Sequence, residues 1–194
     1  PPYLNRGDTI AIVAPAGILK NRQATIQKAK NLLESWGLCV VLGDNLFKNG
    51  HHFAGSDRQR TSDFQNALDN PNIKAIWAAR GGYGSVRILD KLNYEKFKKN
   101  PKWIIGYSDI TAFHNHIHKL GIETIHGMMA TSLEENPEEI HVAKGKNLAQ
   151  LHNIDFIVAL GGGSAMDCAK GINFLLTNGG KMSDYKGVGL AKKP

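Results

Sequence analysis

Apolar β-branched runs alternate with helical periodicity along most of this 194-residue chain. "TIAIVAPA" predicts a strand ending in a Pro-Ala-Gly loop. "RQATIQKAKNLLESWG" carries apolar residues at helical spacing and stops at Gly37. "CVVLGDN" is a second strand. "SDRQRTSDFQNALDNP" opens with a Ser-Asp cap signal and ends before Pro71, which predicts a helix. Then follow a strand running into a glycine turn ("IKAIWAARGG"), a short helix ("SVRILDKL"), a fourth strand ("KWIIGYS"), a helix ("DITAFHNHIHKLG") and a short fifth strand ("ETIHG"). This alternation predicts an α/β fold, a Rossmann-like single three-layer domain with a mostly parallel sheet and helices on both faces. Functional loops then gather at the carboxyl ends of the strands. Three of these ends carry unusual residues: Gly81-Gly82-Tyr83-Gly84, Ser108-Asp109 and His126-Gly127.

The acidic stretch "TSLEENPEEIH" breaks the pattern. Beyond it "VAKGKNLAQLHNI" is helical, and "DFIVALGGGSAMDCAKGINFLLTNGG" is a strand, a glycine turn and a helix. "DFIVALG" is apolar on both faces, as a strand inside a parallel sheet should be. Docked on the open edge at "ETIHG" it would bring the sheet to about six strands. The expected halves are residues 1–138 and 139–194, packed into one cooperative domain.

Composition adds little to this pattern. A 42% hydrophobic share supports a real core. No apolar run is long enough to span a membrane. "PPYLNRGDTIAIVAPAG" lacks the regions of a signal peptide, so a cytoplasmic location is expected. The net charge of +7 invites a nucleic-acid partner. Its densest cluster, "NYEKFKKNPKW", accompanies no nucleic-acid module and is expected to be a solvated lysine face, so neither nucleic acid nor membrane is an expected partner. Cys39 and Cys168 have no metal spacing and sit in apolar contexts, which predicts core positions.

Ser108, at a strand-to-helix turn, has two readings. A serine there is commonly a helix N-cap. It is also where a nucleophile can be held on a tight turn beside amides that receive an oxyanion. His114 and His118 lie one helical turn apart, with His116 between them, but no third ligand completes a metal site and none is expected. His126 is either a weak base near Ser108 or a buried loop histidine bonded to backbone.

Five segments in order, "GDTIAIVAPAG", "FAGSDRQRTSDFQNAL", "IWAARGGYGSVRIL", "IIGYSDITAF" and "IHGMMATSL", resemble the N-terminal domain of the LD-carboxypeptidases over about residues 3–135. These are serine peptidases that release the terminal D-alanine of murein tetrapeptide, and microcin-immunity peptidases belong with them. The resemblance makes Ser108 the nucleophile, the backbone amides of Asp109 and Gly82 the oxyanion donors, and murein peptide the ancestral substrate. Met128 stands where the family usually has proline. The family completes its triad with a glutamate and a histidine from a second domain, which has no counterpart here.

From about residue 141, "NIDFIVALGGGSAMDCAKGINFLLTNGGKMSDYKG" is similar to the iron-containing alcohol dehydrogenases near their dinucleotide site. That resemblance makes Gly161, Gly162, Gly163 and Ser164 a vestigial NAD(P) phosphate turn, followed by Asp167 and Lys170 in the next helix. The turn would still suit a small anion such as phosphate, with no retained cofactor. The two resemblances together imply an engineered chimera near residues 136–141, ending mid-domain for the second family and without efficient catalysis. The alternative is an active or partly active LD-carboxypeptidase.

Overall fold

A computed structural model describes residues 1–134, 139–159 and 163–185. The chain divides into two compact units, Pro1–Glu134 and Glu135–Pro194.

In the first unit the predicted elements form, with one short helix more, α4, in the basic cluster: β1 (Thr9–Val13), α1 (Gln23–Ser35), β2 (Cys39–Leu42), α2 (Asp57–Asp69), β3 (Ile73–Ala78), α3 (Val86–Leu89), α4 (Glu95–Lys99), β4 (Trp103–Gly106), α5 (Thr111–Lys119) and β5 (Ile125–His126). The strands make one sheet in the order β2-β1-β3-β4-β5, parallel throughout. The direction of winding therefore reverses between β1 and β3. A crevice opens beyond the carboxyl ends of the strands at such a reversal.

Alternation along β1 explains the two buried faces. Ile10 and Ile12 join a cluster with Ile26, Ala29 and Leu33 of α1. Ala11 and Val13 join the opposite cluster with Phe64 and Leu68 of α2 and Phe113 and Ile117 of α5. The Phe64 and Phe113 rings stack at 4.4 Å. Each such side chain contributes about 1.5–3 kcal/mol when fully buried, so neither layer can be peeled off cheaply. The Ser-Asp signal is a true helix start: Ser56 and Gln59 cap each other in a capping box at the head of α2.

The structure corrects several expectations. The sheet has five strands. Asp155–Ala159 form no strand, and Phe156 and Val158 are 77% and 66% exposed. The rest of that expected strand, Leu160 and Gly161, lies outside the described residues. Cys39 is exposed at the start of the edge strand β2 rather than in the core. The basic cluster splits: Lys96, Lys98 and Lys99 are solvated, but Lys102 is buried. Its Nζ donates to the carbonyls of Ala67 (3.0 Å) and Asn70 (2.7 Å) at the C-terminal end of α2, the second of which also accepts from Ile73 N at 3.2 Å. Burial pushes the Lys102 ammonium down to about 8.

In the second unit α6 (Glu139–Leu151) packs on α7 (Gly163–Asn178) through two glycines. A Cβ on Gly145 would lie 2.3 Å from Ile172 Cδ1, and one on Gly171 would lie 3.2 Å from both Val142 methyl carbons. Each glycine thus admits the large residue opposite it. Gly145→Ala is expected to cost about 1–3 kcal/mol by overpacking this crossing. Amide exchange in α6 and α7 checks it, with faster exchange there and none in β1 or β3. Asp167 and Lys170 pair with each other at 4.0 Å on the exposed surface of α7.

Candidate active site

The crevice at the β1/β3 reversal is built from three loops. After β1 comes Ala14-Pro15-Ala16-Gly17, after β3 comes Gly81-Gly82-Tyr83-Gly84, and after β4 comes Tyr107-Ser108-Asp109. Backbone bonds join the first two: Gly17 N donates to Gly81 O at 2.9 Å. Gly17 must be glycine, because a Cβ there would stand 2.6 Å from that same oxygen. Gly82 and Gly84 hold φ of +101° and +139°, which L side chains rarely adopt.

Ser108 has φ +60°. For a non-glycine residue this conformation costs about 1–3 kcal/mol and persists only where the surroundings impose it. Gly106, two residues earlier, provides the room. A Cβ there would press within 2.9 Å of Ile110 and 3.1 Å of Ala78, so β4 turns closely over β3 just below the serine. Gly81 lies against the serine from the other side, 3.3 Å from Ser108 Cβ and 3.5 Å from Asp109 N when a Cβ is built on it.

The cap reading of Ser108 fails. It opens a 3-10 turn, Ser108–Ile110, and the N-cap of α5 is Ile110, with no side-chain cap bond at either position. The serine is exposed, and its hydroxyl has no hydrogen-bond partner among the described residues. A strained, exposed, uncapped serine between a strand and a helix has the form of a nucleophile elbow.

Asp109 does more than supply an amide beside the serine. Its Oδ2 accepts from Ser85 N at 2.8 Å, tying the β4 loop to the end of the glycine turn. Arg60 went unnoticed in the sequence. It is 1% exposed, on α2, and its Nη1 donates to Pro15 O and, at 2.9 Å, to Gly84 O. Its Nη2 pairs with Asp57, and its guanidinium lies 4.9 Å from the Phe53 ring centre.

Asp57 also binds Arg87 (2.9 Å) and Lys91 (3.1 Å). The Arg87 hydrogen bond is the largest cause that holds its carboxyl down at about 2, against an ordinary 3.8. A carboxyl depressed on folding stabilises the fold above its unfolded value. That stability is lost as pH falls from about 4 through about 2. After discounting for solvent screening, Asp57→Asn should remove about 1–2 kcal/mol at pH 7. It should also flatten the acid limb, which urea midpoints between pH 2 and 7 would show.

The histidines separate. His114 is buried, with Nδ1 2.8 Å from Thr124 Oγ1 and Nε2 2.9 Å from Gly106 O, and burial pushes its pKa down. It is a neutral tie beneath the serine loop. His118 is exposed and His116 stacks on Tyr94 at 4.6 Å, so the three do not converge. No group of metal-holding side chains occurs among the described residues. His126 is exposed in β5 rather than buried in a loop. Its ring lies 6.4 Å from Tyr107 and 5.7 Å from His114, and it makes no hydrogen bond to Ser108. Met128 places its carbonyl on Trp77 Nε1 at 2.6 Å, so the loop after β5 is held without the proline. Gly161 and Gly162 lie outside the described residues, while Gly163 and Ser164 open α7. Among the described residues no helix is long and apolar enough to cross a membrane.

Comparison with known proteins agrees with this geometry. The LD-carboxypeptidase N-terminal domain family matches residues 10–127, and the iron-containing alcohol dehydrogenase family matches residues 84–194. The shared residues, 84–127, lie within the first unit and include α3, α4, β4, α5 and β5. The murein tetrapeptide carboxypeptidase of Pseudomonas aeruginosa is 32% identical over 153 residues, 77% of this chain and 48% of that protein. Alcohol dehydrogenase 4 of Schizosaccharomyces pombe is 45% identical over 71 residues, 37% of this chain and 16% of that one. The microcin C7 self-immunity protein MccF, solved with aspartyl sulfamoyl adenosine, superposes with a TM-score of 0.64 at 28% identity, covering 76% of this chain and 45% of MccF. The chain thus spans about half the length of the curated carboxypeptidases it matches, 45% and 48% in two cases. A five-stranded parallel sheet with a strained serine after β4, against the glycine turn after β3, and a match over residues 10–127 make this chain a member of the LD-carboxypeptidase family, with a second match to the iron-containing alcohol dehydrogenases in residues 84–194.

Proposed function

We propose that residues 1–134 are the nucleophile-bearing half of a serine LD-carboxypeptidase acting on murein peptide, joined in one chain to an alcohol-dehydrogenase-derived helical piece. The observation that carries this reading is the +60° φ of Ser108 on an uncapped strand-to-helix turn. Ser108 would attack the carbonyl of the terminal peptide bond. The amides of Asp109 and Gly82 would receive the oxyanion, and the proton would pass to a base that the described residues do not place on the hydroxyl.

Without that base the hydroxyl is a weak nucleophile, so the chain alone should be a poor catalyst. A fluorophosphonate probe should label the protein slowly, over hours, and only at Ser108. Peptide mapping of the wild type and Ser108→Ala tests this. Equal labelling of both proteins, or complete labelling of the wild type within seconds, would contradict it. The alternative, an active enzyme, needs a base within reach. His126, beside the Tyr107 ring, is the nearest candidate on the neighbouring strand, and rapid labelling abolished by His126→Ala would favour it.

A further inference from the structure

We infer that Arg60 is a positioning residue for the glycine turn: it clamps Gly84 to the β1 loop and so fixes the backbone from which the Gly82 amide is presented. The inference rests on the serine reading above for its catalytic meaning. Its structural content stands separately.

A buried guanidinium is expensive unless its charge and donors are used, and an apolar side chain would fill the same space more cheaply. Here both terminal nitrogens are used on particular atoms, while the buried Nε has no hydrogen-bond partner among the described residues. Nη1 bonds the carbonyls of Pro15 and Gly84, one from each loop flanking the winding reversal. Nη2 meets Asp57, which Arg87 and Lys91 hold in turn. The fit is close, since a Cβ on Gly84 would stand 2.8 Å from Nη1 and 3.0 Å from Phe53 Cδ1.

The other restraints act elsewhere in the turn. Gly17 N holds Gly81 O, and Asp109 holds Ser85 N. Between those anchors lie Gly82 and Gly84, two glycines with positive φ and wide conformational freedom. Arg60 is the side chain that bonds the backbone in that interval. Without it the Gly84 carbonyl keeps, among the described residues, the longer 3.2 Å bond from Arg87 N, and the turn can relax about its two ends.

The test uses the full chain and two kinds of readout. The first is amide exchange at Gly17 and Ser85, which report the turn, against Ile76 and Trp77 in β3. In Arg60→Met exchange at the turn should rise about tenfold or more, with β3 nearly unchanged, because local opening is separable from global unfolding. Arg60→Lys, able to donate but not to fork, should fall between. Asp57→Asn leaves both carbonyl bonds in place and should move the same two amides less. If Arg60→Met does not fold, Arg60→Lys decides the matter: exchange at Gly17 and Ser85 no faster than in the wild type would overturn the clamp.

The second readout is chemical. Phosphonylation of Ser108, which develops an oxyanion, should slow about tenfold in Arg60→Met. Iodoacetamide alkylation of the Ser108→Cys variant, which develops none, should not change. Equal acceleration of exchange in the turn and in β3, or none in the turn, would overturn the clamp. Equal slowing of both reactions would overturn its link to the oxyanion. If wild-type Ser108 takes no label at all, the serine reading fails while the exchange result still decides the clamp.

Discussion

Murein tetrapeptide should lose its terminal D-alanine at least about 1000-fold more slowly to this chain than to the full-length Pseudomonas aeruginosa carboxypeptidase, because disabling a serine triad typically costs that much or more. The physical reason lies at one atom. Ser108 Oγ has no hydrogen-bond partner among the described residues, so nothing there takes its proton as it attacks. Around the serine lie a strained turn, glycines that let backbone approach, and Asp109 joining the β4 loop to the glycine turn, which the proposal takes as the rest of the site. Residual turnover should therefore exceed that of Ser108→Ala, since binding and oxyanion donors alone retain some catalysis. Chromatographic detection of released D-alanine measures both. Rates within tenfold of the full-length enzyme would mean that this chain supplies its own base.

Gly84→Ala should lower stability by about 2–5 kcal/mol through backbone strain and overpacking together. Its φ of +139° is a glycine conformation. The added methyl would also meet Arg60 Nη1 at 2.8 Å, Phe53 at 3.0 Å and Ala16 Cα at 3.3 Å. Arg60 cannot retreat without releasing Pro15 and Asp57. Gly7→Ala is the useful contrast. Its φ is also positive, at +90°, but a Cβ there meets nothing within 4 Å, so only the strain remains. Chemical denaturation of the two variants should show Gly84→Ala losing clearly more. Equal losses would mean that the Arg60 contact is not tight.

The sheet was legible because each strand from β1 to β5 is a short apolar run bounded by helical periodicity, and that signal survives without knowledge of neighbours. "DFIVALG" carries the same signal and misled. An apolar pattern on both faces marks a strand only where a sheet is present to pair it, and Phe156 and Val158 remain exposed. The glycines of the site were visible as types, since turns with positive φ need them.

Arg60, Lys102 and His114 were not legible for a common reason. Their partners include backbone carbonyls (Pro15 and Gly84; Ala67 and Asn70; Gly106), and a carbonyl leaves no mark in the sequence. Ser108 was ambiguous by composition. Cap and nucleophile share the same residue at the same kind of turn; the structure removes the cap, since Tyr107 and Ile110 stand at the N-cap positions, and the nucleophile is the reading proposed above.

The central claim is that Ser108 attacks while the Gly82 and Asp109 amides receive the developing charge. A crystal structure of the fluorophosphonate adduct tests it most directly. The account predicts phosphorus bonded to Ser108 Oγ, with one phosphonyl oxygen about 2.7–3.1 Å from both amide nitrogens. An adduct on another residue, or one on Ser108 whose oxygens turn to solvent away from both amides, would contradict it.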